Sequence, residues 1–148
     1  MDTFKNIMVA VDFNDSIGEL MIFADSLAQK YESKLWVLHV ADPEPDFVGY
    51  ETGPQYIRDL QAEEYREEHR SLQQVCDSFI SKEVESDALL IQGSTVSTVL
   101  EEAKKLNVDL LIVGTHKHSF LYNLLNESVS MELVKKAEIP MLTIPITE

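Results

Sequence analysis

Five short runs of nearly unbroken apolar residues punctuate the chain. They are Ile7-Met8-Val9-Ala10-Val11, Leu35-Trp36-Val37-Leu38-His39-Val40, Ala88-Leu89-Leu90-Ile91, Leu110-Leu111-Ile112-Val113 and Met141-Leu142-Thr143-Ile144. A strand with one wet face alternates apolar and polar residues, whereas a parallel strand covered on both faces is apolar throughout. The runs therefore predict buried parallel strands. Between them, apolar positions recur three and four residues apart, the spacing of one helix face. Ile17, Leu20, Met21, Ala24, Leu27 and Ala28 mark the first such face, and Leu72, Val75, Cys76, Phe79 and Ile80 mark a second at the end of a longer polar stretch. Val96, Val99, Leu100, Ala103 and Leu106 form a third, with Ser94 or Thr95 placed as its N-cap. Val129, Leu133, Val134 and Ala137 give a fourth, stopped before Pro140 because proline disfavours helix in the residue preceding it.

The alternation β-α-β-α-β-α-β-α-β predicts an α/β fold: a single open five-stranded parallel sheet flanked by helices on both faces. Right-handed crossovers leave few arrangements of five such strands. The length of 148 residues suits one domain, 1–148, with one buried core. Residues 42–54 hold three of the five prolines and two of the five glycines, and read as a flap after the second strand.

Composition narrows the function classes. With 45% apolar and 26% charged residues the chain is that of a globular protein and not of a disordered one. Its formal charge of −14 argues against a nucleic-acid partner, which would call for clustered Lys and Arg to neutralise phosphates. There is no polybasic patch for an anionic membrane surface either. Residues 42–87 carry −9 of the total, with 13 acids against Arg58, Arg66, Arg70 and Lys82. Such a concentration reads as a solvated helix face or as a docking surface for a basic partner. The one cysteine, Cys76, forms no intramolecular disulfide, and as a small hydrophobe on an apolar helix face it reads as buried. No signal-like N-terminus is visible, and the apolar runs fall far below the roughly 20 residues of a membrane span. A reduced, cytoplasmic compartment is the expectation.

In open α/β sheets ligands bind beyond the carboxyl ends of the strands, where the strand order reverses. The loops there are Asp12 to Ser16, Gly93 to Thr95 and Gly114 to Ser119. They hold no Gly-x-x-x-x-Gly-Lys-Ser/Thr phosphate cradle, no Gly-x-Gly-x-x-Gly dinucleotide turn and no Gly-x-Ser-x-Gly nucleophile elbow. Asp12 and Asp15 suggest a phospho-receiver, but the ends of strands three and five read Gln92-Gly93-Ser94 and Ile144-Pro145-Ile146, without the acceptor Asp and the Lys. No nucleophile–base pair is apparent, so the chain is expected not to be an enzyme. His116-x-His118 is a candidate metal pair without a third ligand fixed by spacing, and solvated loop histidines are the plainer reading. His39 reads as a packed or hydrogen-bonded histidine within strand two, and His69 as a surface residue.

Several segments together resemble the universal stress protein family. Lys5-Asn6-Ile7-Met8-Val9-Ala10-Val11-Asp12 is similar to the family's opening strand. Leu38-His39-Val40, Gly93 with Glu101 and Ala103, Asp109-Leu110-Leu111-Ile112-Val113-Gly114-Thr115-His116 and Ile139-Pro140-Met141-Leu142-Thr143-Ile144-Pro145 follow in the family's order over essentially the whole chain. The resemblance implies a Rossmann-like, adenine nucleotide alpha hydrolase-like sandwich, usually dimeric through the last strand. It points to a homodimer through Met141–Ile144, an apolar edge that invites a second copy; the other reading is a covered edge in a monomer.

Many members of that family bind ATP through Gly-x-x-Gly, nine residues, then Gly-Ser or Gly-Thr. Glycines let backbone N–H groups approach phosphate oxygens, and a helix N-terminus with a hydroxyl completes the anion site. At matching positions this chain has Gly114, Lys117, Glu127 and Ser128. The resemblance places Asp12 and Val40 against an adenosine, although Asp12 also suits a turn cap and Val40 a core position. Three readings follow. The first is a non-catalytic stress-response factor without the standard ATP glycines and without a cofactor, acting with a protein partner. The second is an adenine-nucleotide switch for ATP or AMP through Asp12, Val40, Gly114, Lys117 and Ser128. The third is a metal-binding protein using His116 and His118.

Overall fold

A computed structural model of the chain describes residues 3–12, 17–41, 55–115 and 127–146. Its elements run β1 (Asn6–Ala10), α1 (Ile17–Tyr31), β2 (Lys34–Ala41), α2 (Gln55–Phe79), β3 (Ser86–Gln92), α3 (Thr95–Lys105), β4 (Leu110–Thr115), α4 (Glu127–Lys136) and β5 (Met141–Pro145). The alternation expected from periodicity is present in full. The five strands form one sheet in the order β3-β2-β1-β4-β5, and every pairing is parallel. The fold is thus the α/β, five-stranded, Rossmann-like one. The expected flap at 42–54 lies outside the described residues.

Why the strand runs are so apolar is visible in the packing. Successive side chains of a strand point to opposite faces, so a sheet covered on both sides has two cores. Ile7, Val9, Val37 and Ile112 pack with Leu20, Met21, Ala24, Ala28, Leu72 and Cys76 under α1 and α2. Met8, Ala10, Leu38, Val40, Leu111 and Val113 pack with Val99, Ala103 and Leu133 under α3 and α4. Strand edges differ from the local reading by a few residues. β3 begins at Ser86 and ends at Gln92 because β2 offers a partner along its whole length, from Leu35↔Ser86 to Ala41↔Gln92. β1 ends at Ala10, one residue before the apolar run does.

Two helices close through left-handed residues other than glycine. Past α3, Asn107 has φ 55°, and Val108 N–H reaches back to Ala103 O at 2.9 Å. Past α1, Glu32 has φ 52°, and Ser33 N–H reaches Ala28 O at 2.9 Å. Both are Schellman closures, where glycine is the usual residue because a Cβ strains the left-handed conformation. Glu32 is exposed. Glu32→Gly is therefore expected to raise stability by about 1 kcal/mol, read as a higher urea midpoint at unchanged slope.

Candidate functional site

The strand order reverses between β1 and β4, so the crevice that an open α/β sheet offers to a ligand lies at their carboxyl ends. Register sets what meets there. Ala10 pairs with Leu38 and Val9 with Ile112, which carries Asp12, Val40 and Thr115 to one level at this edge. Of the residues singled out in the sequence, Asp12, Val40 and Gly114 are thereby brought to the same end of three neighbouring strands. Ser128 stands in the first turn of α4 behind Glu127, the helix's opening residue. Lys117, His116 and His118 lie outside the described residues. Among the described residues no group of three His, Cys, Asp or Glu side chains is arranged to hold a metal ion.

The polar groups at this edge are tied into the fold. His39, 7% exposed, places Nδ1 2.8 Å from the carbonyl oxygen of Val11. The Asp12 carboxylate lies 4.0 Å from the same nitrogen, and both side chains are largely shielded from water. His39 is thus the hydrogen-bonded histidine expected from its place inside a strand. Val40 is 4% exposed and belongs to the core under α3 and α4.

Gly114 has a packing reason of its own. A Cβ there would come within 3.0 Å of Ile146 Cγ1, tighter than ordinary contact. The chain after β5 folds over this position, with Ile146 N–H donating to Thr115 O at 2.9 Å. Ser130, not singled out in the sequence, donates its hydroxyl to Gly114 O at 3.2 Å and is 3% exposed. It fastens the start of α4 to the end of β4. The available signal was a serine one turn before Leu133 and in register with Ala137, on the helix face predicted to be buried.

Gly93, the residue after β3, is likewise crowded: a Cβ at that position would run into Thr98 Oγ1. Beside it, a groove of about 590 Å³ runs between α3 and α4, lined by Val96, Leu100, Val129, Glu101, Glu132 and Lys136 among others. Asp12, Val40 and Gly114 are not among the residues that line it.

Two further residues weighed in the sequence, His69 and Cys76, lie on α2, away from this edge. His69 is exposed. Cys76 is buried, and burial, followed by the charges of Asp77 and Asp87, pushes its thiol up to about 11. The neutral thiol is the form the fold prefers, so this contribution to stability is complete below the unfolded thiol's pKa of about 8.5. It is lost as pH rises from there through the folded value. Cys76 in the native protein is accordingly expected to resist a thiol reagent at pH 8 and to react at once in denaturant, counted by absorbance of the released chromophore.

Comparison with known proteins agrees with this architecture. The model of the universal stress protein family matches residues 3–145. A universal stress protein of Thermus aquaticus, named for the QAH/OAS sulfhydrylase 3′ region, is 28% identical over 141 residues, covering 95% of this chain and 98% of the relative. Universal stress protein A homolog 1 of Coxiella burnetii is 30% identical over 122 residues, covering 82% and 83%. Among solved structures, hypothetical protein MJ0577 superposes with a TM-score of 0.78 at 19% identity, covering 99% of each chain. A universal stress protein in complex with cAMP gives 0.65 at 16% identity, over 97% of this chain and 98% of that one. The universal stress protein from Archaeoglobus fulgidus in complex with dAMP gives 0.61 at 21% identity, over 98% and 99%. At these identities the structural likeness speaks for the fold.

Proposed function

The chain belongs to the universal stress protein family, and on that premise we propose that it is a non-catalytic, homodimeric stress-response protein, one domain over 1–148, acting in the cytoplasm. It does not take ATP in the manner of the glycine motif. The ligand it retains is an adenine nucleoside monophosphate, received at the β1/β4 crevice by Asp12, Val40, Gly114 and Ser128, with Lys117 as a charge for the phosphate.

The observation that carries this reading is the pairing of a kept carboxylate with an added one. Asp12 stays at the switch point, while Glu127 opens α4 where the ATP motif has its third glycine. A carboxylate at a helix N-terminus satisfies the helix dipole that a phosphate would otherwise use. A triphosphate meets more repulsion there than a monophosphate, because its charge is larger and reaches further. The structural neighbours bound to cAMP and dAMP support a monophosphate on this fold. The hydrogen bond between His39 Nδ1 and the Val11 carbonyl favours a structural role for this histidine over that of a general base.

The dimer reading rests on the two sheet edges. β3 carries Asp87, which Lys34 reaches across from β2 at 2.7 Å, and such charges discourage a further strand. β5, Met141-Leu142-Thr143-Ile144-Pro145, has no charge at all.

Thermal shift with AMP, cAMP, ATP with Mg²⁺, and Zn²⁺ tests the ligand reading, together with an assay of the denatured protein's supernatant for copurified nucleotide. AMP or cAMP at a hundred times its Kd is expected to add about 2.7 kcal/mol and to raise the melting temperature by several degrees. Copurified ATP, or a larger shift with Mg-ATP than with AMP, would sink it.

A further inference from the structure

The ladder between β1 and β2 ends asymmetrically. Val11 N–H still donates to Leu38 O at 2.8 Å, although β1 closes at Ala10. β2 continues to Ala41, paired with β3. The carbonyl of Val11 is met by a side chain, since His39 Nδ1 lies 2.8 Å from it. A carbonyl oxygen only accepts, so Nδ1 carries the proton, which fixes the state of that ring nitrogen. The ring is 7% exposed, so no solvent water readily replaces this donor.

The peptide unit is planar. Holding Val11 O therefore also holds the N–H and Cα of the following residue, and that residue is Asp12. The Asp12 carboxylate sits 4.0 Å from the same imidazole nitrogen, beside the position where β1 leaves the sheet for the crevice. The geometry assigns His39 the role of a positioning residue: through the Val11–Asp12 peptide it sets where the Asp12 carboxylate stands toward a bound adenine nucleotide. This rests on the monophosphate reading above. In this role His39 takes no proton from the ligand and need not touch it; it acts through its hydrogen bond to Val11 O.

Asparagine and glutamine separate this role from a general one. The amide nitrogen of Asn reaches about as far as Nδ1 of histidine, whereas that of Gln reaches about as far as Nε2. Both are polar and both fill part of the imidazole's volume. The full chain would be compared as parent, His39→Asn, His39→Gln, Asp12→Asn and the double variant Asp12→Asn/His39→Gln. AMP binding would be measured by calorimetry, and ring and backbone nitrogens by NMR without ligand.

In the parent, the ring spectrum is expected to show a protonated Nδ1. His39→Asn is expected to keep the Asp12 amide shift and to bind AMP within about threefold of the parent, and His39→Gln to move that amide and lose about tenfold. Added to Asp12→Asn, His39→Gln should cost less than about twofold, because the carboxylate it positions is already gone. An unprotonated Nδ1, equal binding by the Asn and Gln variants, or a full tenfold loss on top of Asp12→Asn would overturn the assignment. A parent that binds no AMP while showing the protonated Nδ1 and the Gln-specific Asp12 shift would remove the nucleotide reading and leave His39 as the holder of Asp12.

Discussion

Lys117→Gly combined with Glu127→Gly is expected to give the protein an affinity for Mg-ATP that the parent lacks. The two changes restore glycine at both positions where the family's ATP motif requires it, between Gly114 and Ser128. Glu127 is the first residue of α4, so an acidic residue opens the helix at the end where a phosphate would be received. Two like unit charges about 4 Å apart at an effective dielectric near 20 cost on the order of 4 kcal/mol. Screening by water and salt removes about half, leaving roughly 2 kcal/mol, or about thirtyfold in Kd. Close approach of the two glycine backbones adds to that.

The same substitution takes a favourable charge from the helix dipole, worth about 0.3–1 kcal/mol. The double variant should thus melt slightly lower than the parent without ligand and higher with Mg-ATP. Calorimetry on the parent, each single variant and the double reads the affinity directly. A double variant as indifferent to ATP as its parent would show that the loss has another origin.

Met131→Lys with Val134→Lys is expected to convert a dimer into a monomer. Both side chains are large, apolar and about half exposed, at 54% and 52%. Their place on α4 says which flank they cover. Val129, Glu132 and Lys136 line the groove against α3, so helix spacing turns Met131 and Val134 to the opposite flank. α3 packs on β2 and α4 on β4, which makes that opposite flank the β5 side. The uncharged edge of β5 and these two residues thus form one apolar border. A second copy related by a two-fold axis would bury it twice, since such an interface meets itself.

Two lysines there put four like charges into the contact and remove its apolar area. Light scattering during gel filtration should give twice the chain mass for the parent and the single-chain mass for the variant, with an unchanged far-ultraviolet spectrum. Leu133, which lies between them and is fully buried, stays as it is. A parent that elutes as a monomer at every concentration would end the dimer reading.

The apolar runs alone specify five strands, of which β1, β2 and β4 are largely buried while the edge strands β3 and β5 are only partly so, and the three-and-four spacing specifies the helices between them. Both patterns are local, because burial on two faces excludes polar residues along a whole strand and burial on one face selects every third or fourth residue of a helix. Family membership is equally legible, since it rests on segments such as Lys5 to Asp12 and Asp109 to Thr115 standing in order. Cys76, His39 and Val40 follow from the same local logic: each lies on a face that the pattern already buries, and each is buried.

Tertiary structure alone decides which loops share a site. The order β3-β2-β1-β4-β5 sets Asp12 beside Thr115, far away in the chain, and no window of sequence contains both. It likewise supplies the reason for Gly114, which is the side chain of Ile146 folded over it. The bond from Ser130 to Gly114 O and the contact of His39 with Val11 O belong to the same class. Each joins a side chain to a backbone atom of another element, and the partner exists only once the sheet register is set. The hydrophobic pattern determines what is buried, and the packing of those buried faces determines which polar groups meet.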